Sequence, residues 1–423
     1  MTALDAGRTS RVRALIRGSA GIAVAILGMN IATYGFQMVA ARALGPAEYG
    51  AVASLMALLL VVGVVQLGLQ ATTARRIAAE PDAVAVIAPA MLRLSARASL
   101  GLALLLLAAS PLVWQLLRLD GIVPALLVAL SAAPLTMVGG QAGILQGERR
   151  WLALGVLYLA MGVPRLVFGT LFILADPDET AAMLGVTLGA FTAVVVGWLL
   201  LRSDTRHEEG RTLSLRQKAT EASRNTLALL SFFALSNADI IVARNVLDEH
   251  DAGLYAGGLI LTKAVLFLPQ FVIVVAFPAM STPLERRRAL VRSLLMVLGL
   301  GAVCTLGALL LSDVAMVFIG GDEYGDVQDR LWLFAILGTL LAMLQLLVYA
   351  VLARQGGRST ALFWVALVAL AVAGGTVTTL DGLVATVALI DGIVLAALLG
   401  LSLWRLSRQQ AQPGSQPGSQ PGS

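Results

Sequence analysis

Long apolar runs, each closed by a short polar stretch, repeat from one end of the chain to the other. Most are roughly 18–25 residues long, enough for a helix to cross ~30 Å of hydrocarbon. About twelve spans are predicted, near 19–42, 50–73, 96–117, 121–145, 151–175, 181–201, 225–247, 252–277, 293–312, 329–353, 360–380 and 382–404. The fold class that follows is all-α, a polytopic membrane protein. One run is interrupted in an instructive way: NADIIVARNVLDEHDAGLY, from residue 237, places Asn237, Asp239 and Arg244 inside or at the edge of the seventh span.

Composition agrees with the pattern. A chain that is 58% hydrophobic and 13% charged, with mean hydropathy +0.86, is unlike a soluble domain of this size. The net charge of +5 and pI near 9.8 would suit a nucleic-acid partner, but topology accounts for them. With the N-terminus placed in the cytoplasm, 24 Lys and Arg fall on inner segments and 4 on outer ones (Arg42, Arg118, Arg244, Arg330). That asymmetry predicts both termini inside and no nucleic-acid role. Trp114, Tyr49, Tyr255 and Trp332 fall at predicted outer edges and Trp151, Trp198 and Trp404 at inner ones, where aromatic belts sit. The first span is too long and too polar (Asn30, Tyr34, Gln37) for a cleaved signal peptide. Cys304 is the single cysteine, expected as a buried neutral thiol.

A basic segment near 202–224 divides the spans into two sets of six, predicting bundles over 1–215 and 216–406. The sets echo each other. AARALGPAEYGA (40–51) closes the first span and VARNVLDEHDAGLYA (242–256) the seventh; LQGERR (145–150) and LARQGGRS (352–359) follow the fourth and tenth. An even-numbered repeat unit gives two pseudo-symmetric six-helix bundles related by an axis along the membrane normal. The tail from 407, ending in QPGSQPGSQPGS, is expected to be disordered in the cytoplasm.

ARALGPAEYG, LQGERR and NADIIVARNVL with AGLYAGG together resemble the polysaccharide transporter family, which includes O-antigen and other lipid-linked oligosaccharide flippases of the multidrug/oligosaccharidyl-lipid/polysaccharide exporter superfamily. The resemblance implies two six-helix bundles in a V that rock between inward- and outward-facing states. It implies a polyprenyl-pyrophosphate-linked oligosaccharide as substrate, movement to the outer leaflet, H+ or Na+ as coupling ion, and no enzyme activity or cofactor. Membrane lipids and other polysaccharide assembly proteins are the further partners expected. The Ala-, Leu- and Arg-heavy composition suggests a high-GC bacterium, and the expected location is the bacterial cell membrane. Drug-exporting relatives carry a carboxylate in the first helix; here that helix offers Asn30 and Gln37 instead.

Four ionisable residues lie deep in predicted spans: Arg165, Asp239, Lys263 and Asp391. Counting along each helix places them at one depth, roughly 15 Å below the outer surface. A charge facing lipid there costs about 2.5–3.5 kcal/mol, so they are expected to face one another or a wet cavity. Asp239 and Lys263 sit on consecutive spans and are expected to pair, either to lock a hairpin or to couple an ion. Asp391 is a strut, or it joins Asp239 in a cation site with Thr376, Thr378 or Thr379. Arg165, after Pro164, either binds a pyrophosphate or satisfies carbonyls freed by the proline; Lys263, Asn30 and Gln37 are the further substrate-binding candidates.

Arg42 and Arg244 hold equivalent places in the two halves. They either cap their own helices or form an outer gate with Glu48, Asp248, Glu249 and Asp251. Gln66, Gln70, Gln141, Asn237 and Gln270 are read as interhelical hydrogen-bonding groups. Pro124, Pro134, Pro164 and Pro269 lie inside spans, and Gly139, Gly143 and Gly147 form a small-residue ladder on the fourth. GGDEY (320–324) resembles a diguanylate cyclase signature, but it falls in a short outer loop. His207 and His250 have no partners at metal-ligand spacing. Other readings are a different lipid-precursor flippase, a membrane polysaccharide polymerase or glycosyltransferase, and an assembly scaffold. The outer loops are short for a catalytic domain, and a scaffold needs no layer of buried charge.

Overall fold

The computed structural model describes residues 19–202, 216–267, 286–352 and 360–410. Twelve α-helices occupy them, with no strand among the described residues. They are α1 (Ser19–Ala79), α2 (Val84–Leu116), α3 (Val123–Gly147), α4 (Trp151–Ala175), α5 (Glu179–Arg202), α6 (Arg216–Val246), α7 (Glu249–Phe267), α8 (Arg286–Leu310), α9 (Ser312–Ile319), α10 (Leu331–Leu352), α11 (Thr360–Gly374) and α12 (Leu380–Gln410). Short 3₁₀ turns follow α1 and α9. Nine of these helices are long and apolar enough to cross a membrane. One of the nine, α1, carries two spans; α11 is a shorter apolar helix, and α7 is described only to Phe267. Leucines such as Leu100, Leu104, Leu105 and Leu112 on α2 stand in the open, which suits lipid and not water. The protein is a multi-pass helical membrane protein.

Where the sequence suggests a loop between the first two spans, the structure has only a kink. Gly45 sits at φ 73, ψ 174, and helix continues on both sides. Pro46 forbids its predecessor a helical ψ and offers no N–H, while only glycine takes that φ without strain. The arms 19–44 and 46–79 then run as separate spans. Pro124 lies in the first turn of α3 and not its interior, where a missing N–H leaves no hydrogen bond unmade. The expected boundary near 215, the LARQGGRS echo after Leu352, Pro269, Gln270 and the tail from 411 lie outside the described residues. Residues 407–410, assigned to the tail from sequence, are the last turn of α12.

Glycines set the directions of packing. A Cβ on Gly139, Gly143 or Gly147 would strike the Gln66 backbone, the Gln70 backbone with Thr73, or Ile77. The ladder on α3 therefore seats the second arm of α1, and the two run parallel. Gly162 and Gly169 on α4 seat Met29 and Phe36 of the first arm in the same sense. In the other half Gly258 meets Phe334 and Gly338 meets Thr262, so α7 and α10 also run parallel. Thus the second and fourth spans of one half pack as the second and fourth of the other do.

The two halves, α1–α5 and α6–α12, share one hydrophobic core at the end that holds the Gly45 kink. Phe36, Tyr49, Leu117 and Met183 from the first half join Tyr255, Tyr324 and Phe334 from the second. Toward the opposite end the first half has cores of its own, around Val138, Leu145 and Leu157 and around Ile77, Ile87 and Ile144.

Candidate functional site

Three charged side chains meet inside the second half. Asp239 (α6), Lys263 (α7) and Asp391 (α12) are 2%, 8% and 2% exposed. Asp391 lies within electrostatic reach of both others. The expected Asp239–Lys263 salt bridge is not made. The Asp239 carboxylate accepts the Ile240 N–H at 2.9 Å and the Tyr255 hydroxyl at 3.1 Å. The Lys263 ammonium donates instead to the Ser236 carbonyl, which the turn of α6 presents to it. Beside it Asn237 gives its amide to Phe233 and Ser236 and leaves Oδ1 with no partner among the described residues. Two carboxyl groups thus lie near one ammonium without pairing with it, in a buried site one positive charge short of balance when all are ionised.

The remaining sequence candidates are not drawn into this cluster. Arg165 stands in the first half, its backbone against Gly189 and its Nε without a partner among the described residues. The depth expected for it from counting does not bring it to the cluster. Asn30 and Gln37 are partly buried on the first arm of α1. Thr376, Thr378 and Thr379 cannot serve Asp391: α11 stops at Gly374, and they are exposed in the turn that follows. Cys304 is half-buried. An apolar cleft of about 460 Å³ between α8 and α10, lined by Leu298, Gly301, Trp332 and Met343, is remote in character from the charged cluster.

At the kink end the two sequence echoes touch. Gly253 packs so closely on Pro46 that a Cβ there would overlap the Pro46 carbonyl, and Gly50 faces the Gly253 backbone. Tyr49 and Tyr255, expected in an aromatic belt, are instead fully buried between the packed elements. Tyr324 of GGDEY is buried too; it fills the space over Gly257 and Gly320 and donates to the Ala41 carbonyl at 3.2 Å. Arg42 and Arg244 are not equivalent: Arg42 is exposed beside Gly321, whereas Arg244 is 4% exposed. Arg244 does not cap its own helix. It donates to Leu117, Arg118 and Ala47 carbonyls of the other half. Glu48 and Glu249 lie near it as expected, together with Asp120 and Glu179, whereas Asp248 caps the start of α7 through the Asp251 N–H. Arg118, Asn245, Glu179 and Tyr324 carried no signal in the sequence beyond a charged or polar residue near a span end.

A family model described as polysaccharide biosynthesis protein matches residues 15–283. The chain belongs to this family. No curated protein matches it in sequence. Solved structures similar to this family member include an inward-facing multidrug resistance MATE family transporter of the MOP superfamily, at TM-score 0.75 and 15% identity, covering 92% of this chain and 96% of that one. An outward-facing MATE transporter aligns at TM-score 0.64 and 16% identity, over 93% and 97% of the two chains. A eukaryotic MATE transporter aligns at TM-score 0.66 and 14% identity, over 95% and 98%. This member of the polysaccharide biosynthesis family has a MATE-like fold in two halves.

Proposed function

We propose that the protein is a flippase, not an enzyme, that carries a polyprenyl-pyrophosphate-linked oligosaccharide from the inner to the outer leaflet of the bacterial cell membrane by alternating access. The observation that carries this reading is a chain of a polysaccharide biosynthesis family in a transporter fold. Polysaccharide precursors are built on lipid carriers whose charged head cannot cross hydrocarbon unaided. The Lys and Arg asymmetry supports cytoplasmic termini and an outward-facing kink end. The closure at that end, and the better superposition on the inward-facing relative, support an inward-open state here.

In this reading Arg165, with its unpartnered Nε, supplies the guanidinium for a pyrophosphate, and Asn30 and Gln37 meet sugar hydroxyls. Lys263 is held by the Ser236 carbonyl and lies within electrostatic reach of two carboxyl groups, so we assign it to the coupling cluster and not to substrate. Asp239 and Asp391 take up one H+ or Na+ per cycle. The test is deletion of the gene, followed by labelling of the lipid-linked oligosaccharide with a membrane-impermeant reagent. The expected result is accumulation of a precursor that reacts only after the cells are lysed. Normal reaction in intact cells, with unpolymerised product outside, would sink the flippase reading and favour a polymerase.

A further inference from the structure

The last turn of α2 belongs to one half and the last turn of α6 to the other, yet they are bonded reciprocally. Arg118, just past α2, adopts φ 49. A helix C-terminus leaves carbonyls unpaired, and here those of Leu116, Leu117 and Arg118 are available to a neighbour. All three are taken by α6. Asn245 Nδ2 donates to Leu116 at 2.8 Å, Arg244 Nε to Leu117 at 3.0 Å and Arg244 Nη2 to Arg118 at 2.6 Å. In return the Arg118 guanidinium donates to the Asn245 carbonyl at 2.9 Å. Arg244 Nη1 also reaches the Ala47 carbonyl at 3.4 Å. A cation at a helix C-terminus is a favourable cap, and such caps ordinarily come from the same helix. Here the cap is supplied from the opposite half.

We propose that this reciprocal cap, residues 244–245 against 116–118, is the clasp that holds the kink end shut, and that its parting is the step by which the transporter opens there. The inference rests on the alternating-access reading above. Two observations set the clasp apart from passive packing. First, every acceptor found for the Arg244 guanidinium among the described residues lies in the other half, so separating the halves strips this buried cation of its partners. Second, Glu48, Asp120 and Glu179 of the first half line a water-sized cavity of about 20 Å³ with Arg244, and Glu179 is itself 3% exposed and accepts the Asp120 N–H. Three of the four acids around Arg244 therefore lie across the boundary, Glu249 of its own half being the fourth, so parting the halves removes most of its compensating charge. Arg118 is exposed and Asn245 partly so, which lets water take over the freed groups once the contact parts. A clasp of this kind can break and reform, unlike a charge sealed in a dry core.

The full-length protein in nanodiscs, on a Cys304→Ser background, takes spin labels at Asp176→Cys and Thr378→Cys, exposed positions at the kink end on opposite halves. Pulsed electron resonance then reads the separation of the halves. The native clasp is expected to give mainly a short distance. Arg244→Ala is expected to lower the closed-to-open ratio by about tenfold or more, as loss of charge-assisted hydrogen bonds implies. Arg118→Ala with Asn245→Ala, which leaves the buried arginine in place, should move it the same way by less. Arg330→Ala breaks an ion pair to Asp381 at the same end but within one half, and should leave the distances unchanged. Native distances in both clasp variants would overturn the proposal, as would an equal shift in Arg330→Ala. Opening of the kink end in a protein whose deletion leaves precursor translocation intact would keep the clasp and discard the proposed substrate.

Discussion

At the scale of single residues, the question is why Asp239 sits where it does. An isolated carboxylate is strongly disfavoured in hydrocarbon, and one tied to an ammonium by a tight salt bridge would be merely structural. The structure gives neither arrangement. Tyr255 and the Ile240 amide hold the carboxylate, Ser236 holds the ammonium, and Asp391 adds a second acid. Asp239→Asn keeps the shape and can still accept the Tyr255 hydroxyl, but it removes the charge. It is expected to abolish export while folded protein stays near the native amount, measured by fluorescence-detected size exclusion. Lys263→Met removes the one ammonium and leaves the acids to neutralise themselves with protons; export should be lost here also, with folded protein retained. Normal export in both variants would make the cluster architectural. That Asp239, Lys263 and Asp391 come near one another was legible by counting along the helices. Their partners were not, because helix rotation decides whether Arg165, counted to the same depth, faces the same neighbours, and here it does not.

At the scale of elements, the positions of the spans were legible because hydrocarbon thickness fixes their length and every one must be apolar. What sequence could not show was continuity. The first two spans join through a Gly-Pro kink after which helix resumes at once, and the GGDEY stretch leads into a 3₁₀ turn whose tyrosine is buried by Ala41 and Tyr49, neighbours far away in sequence. Glycines were legible only where they formed a ladder. Gly253, which admits the Pro46 carbonyl, had no such pattern, yet it sets how closely the halves approach. Gly253→Ala is therefore expected to destabilise the protein by about 1–3 kcal/mol, as overpacking does, and to lower the midpoint of thermal unfolding. A methyl group on Gly101 of α2 would meet nothing within 4 Å, so Gly101→Ala should leave that midpoint unchanged or slightly raised. Equal loss in both would mean that the close approach at Gly253 carries no energy.

At the scale of the whole molecule, the two echoes matter because they meet. AEYGA and AGLYA were legible as a repeat; that Tyr49 would be buried against Tyr324 of the other half, and Tyr255 against Phe334 of its own, was not, since a repeat in sequence says nothing about which copies touch. Their contact makes one end of the molecule a shared core, while the cores of the first half near the other end stay separate. In the proposed transport cycle, closure at one end has a meaning only once the orientation is known, and the charge asymmetry argues for one. If 24 of 30 basic residues mark the cytoplasmic side, the closed kink end faces outward and substrate enters from within. The orientation is tested on the Cys304→Ser background with one new cysteine at a time. Asp176→Cys, at the kink end, should react with a membrane-impermeant maleimide in intact cells. Asp82→Cys, in the turn between α1 and α2 at the opposite end, should react only after permeabilisation. The reverse pattern would put the closed end in the cytoplasm, and the same structure would then describe a protein poised to accept its cargo from outside.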